Sequence, residues 1–267
     1  MDIRVNGVRL HYEDSGGAGP TVLFSHGLLW SGRMFDAQVE SLRGEFRTIT
    51  YDHRGQGASD RPRGTVSIET VYEDAVELIR VLGIGPCHFV GLSMGGFVGM
   101  RLAARRPDLV RTLTLLESSA GPEPRKNIPK YRAMNAIARV GGLRLVAPSV
   151  MKIMFGKTFL TDPKRADERG RWLRELTSNR RTIHRSVTGV IERSGVEDLL
   201  TRIVAPTLII VGAEDVATTR DDSEQMQKLI SGSRLEVVEG AGHTSSVEAA
   251  EDVTRLIRGH LCGRSER

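Results

Sequence analysis

Cysteine and long apolar runs are both scarce in this sequence of 267 residues. Its two cysteines, Cys87 in an apolar run and Cys262 in a charged tail, provide neither a disulfide framework nor a cysteine-based metal site. No apolar run approaches the roughly 20 residues that a membrane-spanning helix needs. The chain must therefore fold through its own core, and at this length it can bury about three quarters of its unfolded surface.

The first residues also lack the features of a secretory signal. Residues 1–5 lead directly into strand-like sequence, without the basic start and apolar stretch of a signal peptide. We therefore expect a cytoplasmic protein that does not associate with a membrane.

The net positive charge is confined to one part of the chain. The formal charge is +5, yet residues 123–193 hold 17 Lys and Arg against 6 Asp and Glu. These basic residues are not interleaved with aromatic ones, which make up only 5% of the sequence, so we expect no nucleic-acid partner. A basic cluster over a cleft could attract an anionic substrate, but a solvated, arginine-rich helical face is the favoured reading.

Short apolar runs alternate with stretches of helical periodicity. The start pairs two alternating runs around Asn6-Gly7, a strong signal for a β-hairpin. Apolar runs of buried-strand length follow at residues 21–25, 47–51, 87–92, 110–116, 207–211 and 235–238. Helix-period stretches occupy residues 35–42, 68–82, 97–105, 222–230 and 247–261. This alternation predicts the α/β class, with a mostly parallel sheet entered through an antiparallel hairpin and helices on both faces.

One segment, residues 120–201, contains no strand-like run. Prolines divide it into short stretches rich in apolar residues and arginine, and they are Pro122, Pro124, Pro129, Pro148 and Pro163. The pattern predicts a helical cap over residues 120–201, inserted between two parts of a core, residues 1–119 and 202–267. The last residues, 263–267, are predicted to be a frayed tail.

The sharpest chemical signal is Gly91-Leu92-Ser93-Met94-Gly95, a G-x-S-x-G sequence where an apolar strand meets a helix. A tight turn at this point requires small neighbours, and it pushes the serine hydroxyl clear of the backbone at the end of the sheet. The alternative is an ordinary surface serine in a turn. The strand-turn-helix context favours Ser93 as a nucleophile.

A serine hydroxyl becomes an effective nucleophile when a base accepts its proton, and that base needs an acid to orient it. Asp215 follows the predicted strand at 207–211, and His243 follows the one at 235–238. Both lie at carboxyl ends of parallel strands, where crevices form in open α/β sheets. The chain order serine, acid, histidine also matches the G-x-S-x-G class. We therefore predict a triad of Ser93, Asp215 and His243.

Two other carboxylates compete with Asp215 for the role of the acid. Glu214 is its neighbour, and Glu117 closes the predicted strand at 110–116, from which it could also reach the histidine. A contribution of Glu117 to the triad stays open at this point. Among the other histidines, His26 also stands in a glycine-bearing loop after a strand, and the rest are expected to be structural or surface groups: His11, His53, His88, His184 and His260.

The tetrahedral intermediate of acyl transfer needs hydrogen-bond donors for its oxyanion, and backbone amides supply them without reorganisation. One donor is expected from the N–H directly after the nucleophile, here Met94, and the other from the loop after the third strand. That loop begins His26-Gly27-Leu28-Leu29, and we predict the Leu28 N–H as the second donor.

Five motifs stand in the order found in the α/β-hydrolase superfamily, which the chain resembles over almost its whole length. They are His26-Gly27 and residues 52–59, 91–96, 212–215 and 242–243. Within it, residues 91–96, 103–111 and 206–215 are most similar to the group of 3-oxoadipate enol-lactonases and bacterial carboxylesterases. The resemblance implies hydrolysis of a small carboxylic ester or lactone, and a structural role for residues 52–59. Trp30 and Glu117 depart from the pattern of the group and leave the substrate open.

We expect catalysis without a metal or any other cofactor, since no grouping of His, Cys, Asp and Glu has metal-ligand spacing. The candidate lining of the substrate pocket is Leu29, Trp30, Glu117, Met134, Met154 and Phe155. For Met134, Met154 and Phe155 the alternative is a place in the core of the cap.

Three alternatives to ester or lactone hydrolysis are open. A cofactor-free perhydrolase or haloperoxidase would use the same triad with hydrogen peroxide, although residues 26–30 lack the proline that peroxide-using relatives place there. A C–C bond hydrolase would also use it. A non-catalytic ligand-binding protein of the same fold is disfavoured by the complete triad.

Overall fold

The computed structural model describes residues 1–61 and 63–263, and its centre is an eight-stranded sheet. The strands are β1 Asp2–Val5, β2 Val8–Asp14, β3 Thr21–Ser25, β4 Arg47–Tyr51, β5 Cys87–Leu92, β6 Val110–Leu116, β7 Thr207–Gly212 and β8 Arg234–Val238. They lie side by side in the order β1-β2-β4-β3-β5-β6-β7-β8. β2 pairs antiparallel with β1 and β4, and all other pairs are parallel. The predicted fold class is confirmed.

Helices cover both faces of this sheet. The α-helices are α1 Asp36–Leu42, α2 Ile68–Leu82, α3 Met94–Arg105, α4 Ile128–Gly141, α5 Ala147–Met154, α6 Lys157–Thr161, α7 Ala166–Ser178, α8 His184–Ile191, α9 Glu197–Leu200, α10 Arg220–Leu229, α11 Ser245–Glu248 and α12 Ala250–Leu261. Short 3-10 turns are Gly32–Phe35, Pro107–Leu109, Leu143–Leu145, Pro163–Arg165 and Arg181–Ile183. Among the described residues, no helix is both long and apolar enough to cross a bilayer.

Successive side chains of the buried strands enter two different apolar cores. In β3, Leu23 packs into the core beneath α2 and α3, whereas Val22 and Phe24 pack into the core beneath α1 and α12. This alternation follows from the two-residue period of a strand. It explains why the central strands read as continuous apolar runs, because neither face of the sheet meets water.

Local sequence explains where several elements begin and end. Asn6 and Gly7 both have positive φ, 44° and 77°, as a two-residue hairpin turn requires. The Ser67 hydroxyl accepts the Thr70 N–H at the start of α2, and Gly83 ends that helix with a φ of 63°.

The segment between β6 and β7 contains only helices and their connections, from α4 to α9. Pro129, Pro148 and Pro163 each stand in the first turn of a helix, where a missing N–H costs no hydrogen bond. Most of the segment packs into the core beneath α1 and α12, whereas Leu199 and Leu200 of α9 pack into the other core.

The structure shifts several predicted helix boundaries by one or two residues and differs more clearly from two predicted helices. α3 begins at Met94 rather than at residue 97, since the helix follows the Ser93 turn immediately. The helix predicted over 247–261 is two helices, α11 and α12, separated at Ala249. Of the predicted frayed tail over 263–267, residues 264–267 lie outside the described residues.

Two helical glycines between β6 and β7 allow a matched test of how closely this helical segment packs against the rest of the chain. A Cβ at Gly189 in α8 would strike the Val66 carbonyl, whereas one at Gly170 in α7 would meet only the Arg174 side-chain end at 3.3 Å. We expect Gly189→Ala to lower the free energy of unfolding by about 1–2 kcal/mol through overpacking. Gly170→Ala should leave it unchanged or raise it by up to about 1 kcal/mol through helix propensity. Urea unfolding measures both, and equal effects would contradict the close approach at Gly189.

Candidate active site

Ser93 lies in a sharp turn between β5 and α3, with a φ of 51° and a ψ of −109°. A non-glycine residue in such a conformation costs on the order of 1–3 kcal/mol, so the surroundings must enforce it. A Cβ at Gly91 would strike the backbone of Gly95, and a Cβ at Gly95 would strike the backbone of Ser25. The spacing of glycines around the serine is therefore a packing requirement.

Ser93, His243 and Asp215 form a continuous chain of hydrogen bonds. The Ser93 Oγ lies 2.9 Å from His243 Nε2, and His243 Nδ1 lies 2.8 Å from Asp215 Oδ2. The three residues follow β5, β8 and β7, whose carboxyl ends meet at one edge of the sheet. All three are buried, with 8% or less of each exposed. With Nδ1 protonated towards the carboxylate, Nε2 is free to accept the proton of the serine hydroxyl.

Additional donors fix the orientation of the Asp215 carboxylate. Its Oδ2 accepts the Thr218 hydroxyl at 2.8 Å, and its Oδ1 accepts the Ala217 N–H at 2.7 Å and the Thr218 N–H at 3.2 Å. The Thr218 Oγ1 also lies 3.3 Å from His243 Nδ1. Sequence reasoning missed Thr218, whose only signal was a hydroxyl residue three positions after the acid.

The three candidate carboxylates, Asp215, Glu214 and Glu117, have different hydrogen-bond partners in the structure. The Glu214 carboxylate accepts the Thr158 N–H at 2.8 Å and also accepts the Thr158 hydroxyl. These two hydrogen bonds lower the pKa of Glu214. Glu117 follows β6 with a φ of 41° and is completely buried. The hydrogen bond from His243 goes to Asp215.

Glu117 is buried without an ionic partner among the residues that the structure describes. Neither carboxyl oxygen makes a well-formed hydrogen bond there, although the Ser245 hydroxyl and the Gly212 N–H lie nearby. Burial raises the pKa of Glu117 well above its ordinary value, and the charge of Asp215 adds to the effect. We therefore expect Glu117 to be a neutral acid at neutral pH.

A second buried carboxyl, Glu248, connects the cap to the histidine loop. Its Oε2 accepts the Gly156 N–H at 2.7 Å, and its Oε1 accepts the Thr244 N–H at 3.0 Å. Burial raises its pKa to about 7 despite these donors. The residue after His243 and the segment between α5 and α6 thus share one side chain as their acceptor.

The loop after β3 is fixed by hydrogen bonds from its own histidine and from residues 52–59. The His26 Nε2 accepts the His53 N–H at 2.9 Å. The Leu29 N–H donates to Gln56 Oε1 at 2.7 Å, and Leu29 has a φ of 75°. The Leu29 amide is therefore already used within this part of the chain.

Residues 52–59 form hydrogen bonds and an ion pair that hold neighbouring segments together, as expected for a structural turn. The Asp52 carboxylate accepts the Gly32 N–H at 2.9 Å and the Ala58 N–H at 2.8 Å. Arg54 forms a buried, bidentate ion pair with Asp74. The turn after β4 is thereby tied to the start of the chain segment that precedes α1 and to α2.

A cavity with an empty volume of about 830 Å³, including its mouth, opens at Ser93 and His243. Four predicted residues line it, namely Leu28, Leu29, Met134 and Met154. Sequence reasoning missed other lining residues, among them Phe97, Glu123, Tyr131, Val150, Val187 and Arg193. Among the described residues, no group of three or more His, Cys, Asp and Glu is arranged to hold a metal ion.

The structure places the other predicted pocket residues outside this cavity. Trp30 and Phe155 belong to an aromatic cluster, with ring centroids 5.8 Å apart, and Trp172 lies 5.3 Å from Trp30. Trp30 and Phe155 are both 2% exposed. Glu117 is completely buried and is not among the residues that line the cavity. The assignment of Trp30, Phe155 and Glu117 to the pocket is therefore corrected.

A family model described as the alpha/beta hydrolase fold matches residues 20–250. The chain belongs to this family. The eight-stranded sheet, the turn at Ser93 and the positions of Asp215 and His243 after β7 and β8 all agree with that membership.

Named relatives of this α/β hydrolase include lactonases and esterases. It is 30% identical to 3-oxoadipate enol-lactonase 2 of Acinetobacter baylyi over 242 residues, which cover 90% of this chain and 88% of that protein. The enol-lactonase of Burkholderia xenovorans matches with a TM-score of 0.91 at 27% identity, covering 98% of this chain and 100% of that chain. An esterase of Thermogutta terrifontis matches with a TM-score of 0.89 at 29% identity and covers 98% of both chains. The chain is a hydrolase similar to enol-lactonases and esterases.

The Glu117 carboxyl should make the stability of this hydrolase depend on pH. Because burial raises its pKa above the ordinary value of 4.5, its contribution to stability is full below that value and is lost as the pH rises towards the folded pKa. The loss amounts to about 1.4 kcal/mol per pH unit over that window. Glu117→Gln keeps the shape and removes the titration.

We expect the stability of Glu117→Gln relative to wild type to increase by about 1–3 kcal/mol between about pH 5 and about pH 7. Urea unfolding at the two pH values measures the difference. Glu40→Gln, the same side-chain replacement at an exposed helical site, serves as the control. A difference for Glu117→Gln that does not change with pH would mean that Glu117 is ionised in the folded protein.

Proposed function

We propose that this hydrolase cleaves small carboxylic esters or lactones with Ser93 as the nucleophile, His243 as the base and Asp215 as the orienting acid. The observation that carries the proposal is the hydrogen-bond chain from Ser93 Oγ to His243 Nε2 at 2.9 Å and from His243 Nδ1 to Asp215 at 2.8 Å. Similarity to enol-lactonases and esterases supports the same class of substrate.

In the first half of the reaction, Ser93 Oγ attacks the carbonyl carbon while His243 Nε2 accepts its proton. The Asp215 carboxylate stabilises the imidazolium that forms, and its Thr218 and Ala217 donors hold it in place. The tetrahedral intermediate then collapses, and His243 gives the proton to the departing alkoxide. With a lactone, that alcohol stays attached to the acyl group.

The negative charge on the carbonyl oxygen requires donors beside the nucleophile. Met94 is the first residue of α3, and the first N–H groups of a helix have no intrahelical acceptor. Leu28 lines the cavity together with Ser93, and the next amide, Leu29, is occupied by Gln56. We assign the oxyanion to the N–H groups of Met94 and Leu28, which stabilise the transition state electrostatically.

In the second half, a water molecule attacks the acyl-enzyme and His243 accepts one of its protons. The new tetrahedral intermediate uses the same two amides. Its collapse releases the carboxylic acid, and the proton on His243 returns to Ser93 Oγ. Each proton in this sequence moves through His243, so the proposed steps need no cofactor.

Replacement of Ser93 gives the most direct test. We expect Ser93→Ala to lower kcat for p-nitrophenyl butyrate by at least about 10⁴-fold, because the members of a triad act as one unit. The free energy of unfolding of the variant, measured in urea, should stay within about 1 kcal/mol of the wild-type value, since alanine keeps the Cβ of the turn. Phenylmethylsulfonyl fluoride should label wild type on the peptide that contains Ser93, as read by mass spectrometry.

Ser93→Ala activity within about tenfold of wild type, a barrier change of only ~1.4 kcal/mol, would exclude Ser93 as the nucleophile. Wild type that cleaves no ester or lactone but halogenates in the presence of peroxide would be a perhydrolase. Wild type without either activity would support a ligand-binding protein.

Matched carboxamide variants test which acid orients His243. Asp215→Asn should lower kcat by about 10³–10⁴-fold, because the amide favours the wrong imidazole tautomer and removes the charge that stabilises imidazolium. Glu117→Gln should keep kcat within about threefold, a barrier change below ~1 kcal/mol, since Glu117 does not bond to His243. Steady-state kinetics on the same ester measures both. Exchanged phenotypes would transfer the role of the acid to Glu117.

A further inference from the structure

The cavity at Ser93 has a predominantly apolar wall, which the cap helices supply. Met134 and Ala138 come from α4, Val150 and Met154 from α5, and Val187 from α8. A wall of this kind gains free energy from contact with methylene groups, at roughly 0.8 kcal/mol for each one buried. These apolar side chains offer no compensation to a charged group that leaves water.

Among the described residues, Arg193 is the one Lys or Arg side chain that lines the cavity, and its charge is already balanced. Its Nη1 lies 2.8 Å from Glu123 Oε2, and the two side chains are only 4% and 9% exposed. The guanidinium also lies 4.4 Å above the Phe97 ring and donates to the Ser119 hydroxyl at 3.3 Å. The Nε–H is buried and has no partner among the described residues. Because Glu123 lines the same cavity, the pair adds no net charge there.

The other basic residues of the cap do not reach this cavity. Every residue from 123 to 193 is described, and Arg193 is the one Lys or Arg of that stretch in the cavity lining. Arg132, for instance, is 64% exposed and pairs with Glu192 at 3.5 Å, and Arg171 pairs with Asp36 at 3.1 Å. The basic charge of the cap therefore lies on its surface, which removes the basis for an anionic substrate that the composition alone left open.

We propose that the substrates are esters or lactones whose acyl group is uncharged and apolar, and that the Glu123–Arg193 pair excludes acyl groups that carry a carboxylate. The proposal rests on the proposed function, since it names the substrate class of the same site. Glu123 is the specificity-determining residue in this arrangement. Without its carboxylate, Arg193 would present an unbalanced positive charge to the cavity.

A pair of p-nitrophenyl esters with acyl chains of equal length tests the wild-type protein directly. The hexanoate ester is apolar, whereas the adipate monoester ends in a carboxylate. We expect kcat/KM for the hexanoate to exceed that for the adipate monoester by at least about a hundredfold, because the buried carboxylate finds no free cation. From acetate to butyrate to hexanoate, kcat/KM should rise about threefold for each added methylene.

A charge-matched pair of variants tests the role of Glu123. Glu123→Gln should reduce the ratio of kcat/KM for the hexanoate to kcat/KM for the adipate monoester by at least about tenfold. The change should come mainly from a lower KM for the anionic ester. Glu192→Gln makes the same change of charge on the exposed face of the cap and should leave the ratio unchanged. Should Glu123→Gln fail to fold, wild type can be inhibited competitively by hexanamide and by the monoamide of adipic acid, which differ only in the terminal carboxylate. Equal inhibition by the two amides would overturn the exclusion of anionic acyl groups.

The outcomes separate this proposal from the one on which it rests. Wild type that cleaves the adipate monoester as well as the hexanoate, with activity lost in Ser93→Ala, would overturn the substrate class and keep the mechanism. An unchanged ratio in Glu123→Gln would remove Glu123 as the determinant of charge selectivity. Wild type without any Ser93-dependent ester hydrolysis would overturn the proposed function itself.

Discussion

The positive φ of Ser93 depends on close approaches that only glycine permits. The chain after β5 turns so tightly that Gly91 contacts the backbone of Gly95, and Gly95 in turn contacts the backbone of Ser25 at the end of β3. Gly96 approaches the Ser118 hydroxyl just beyond β6. Because β3 and β6 are the two neighbours of β5 in the sheet, the strand order itself provides the surfaces that enforce the turn. The position of the hydroxyl is thus a property of the centre of the sheet.

Buried carboxyl groups hold the loops around that turn, and they differ in what compensates for the burial of their charge. Asp52 is satisfied by backbone N–H groups, and Asp74 by the guanidinium of Arg54. Glu117 has no such partner, so burial raises its pKa and favours the neutral acid. Glu248 lies between these cases, with backbone donors and a pKa of about 7. His243 therefore lies within a framework of carboxyl groups, and among the described residues Asp215 is the one that hydrogen-bonds to its imidazole.

Much of the fold could be predicted from sequence, because the buried strands consist of continuous apolar runs. The runs at residues 21–25, 47–51, 87–92 and 110–116 coincide with β3, β4, β5 and β6. The alignment of Ser93, Asp215 and His243 followed from chain order and the shared edge of a parallel sheet. The direction of individual side chains did not, because it depends on distant partners. Trp30 is close in sequence to the loop after β3, yet it packs on Trp172 of α7.

The cavity draws its floor and its walls from different stretches of the chain. Ser93, His243 and Thr218 belong to the loops at the sheet edge, whereas most of the apolar wall belongs to helices inserted between β6 and β7. Substitutions in the insertion can reshape the wall without disturbing the close glycine contacts that hold Ser93 in place. Evolution could therefore change which molecules enter while the bond-breaking groups are inherited intact. A library confined to the helical wall residues of this insertion, such as Met134, Val150 and Val187, would explore new substrates while the loops at the sheet edge stay unchanged.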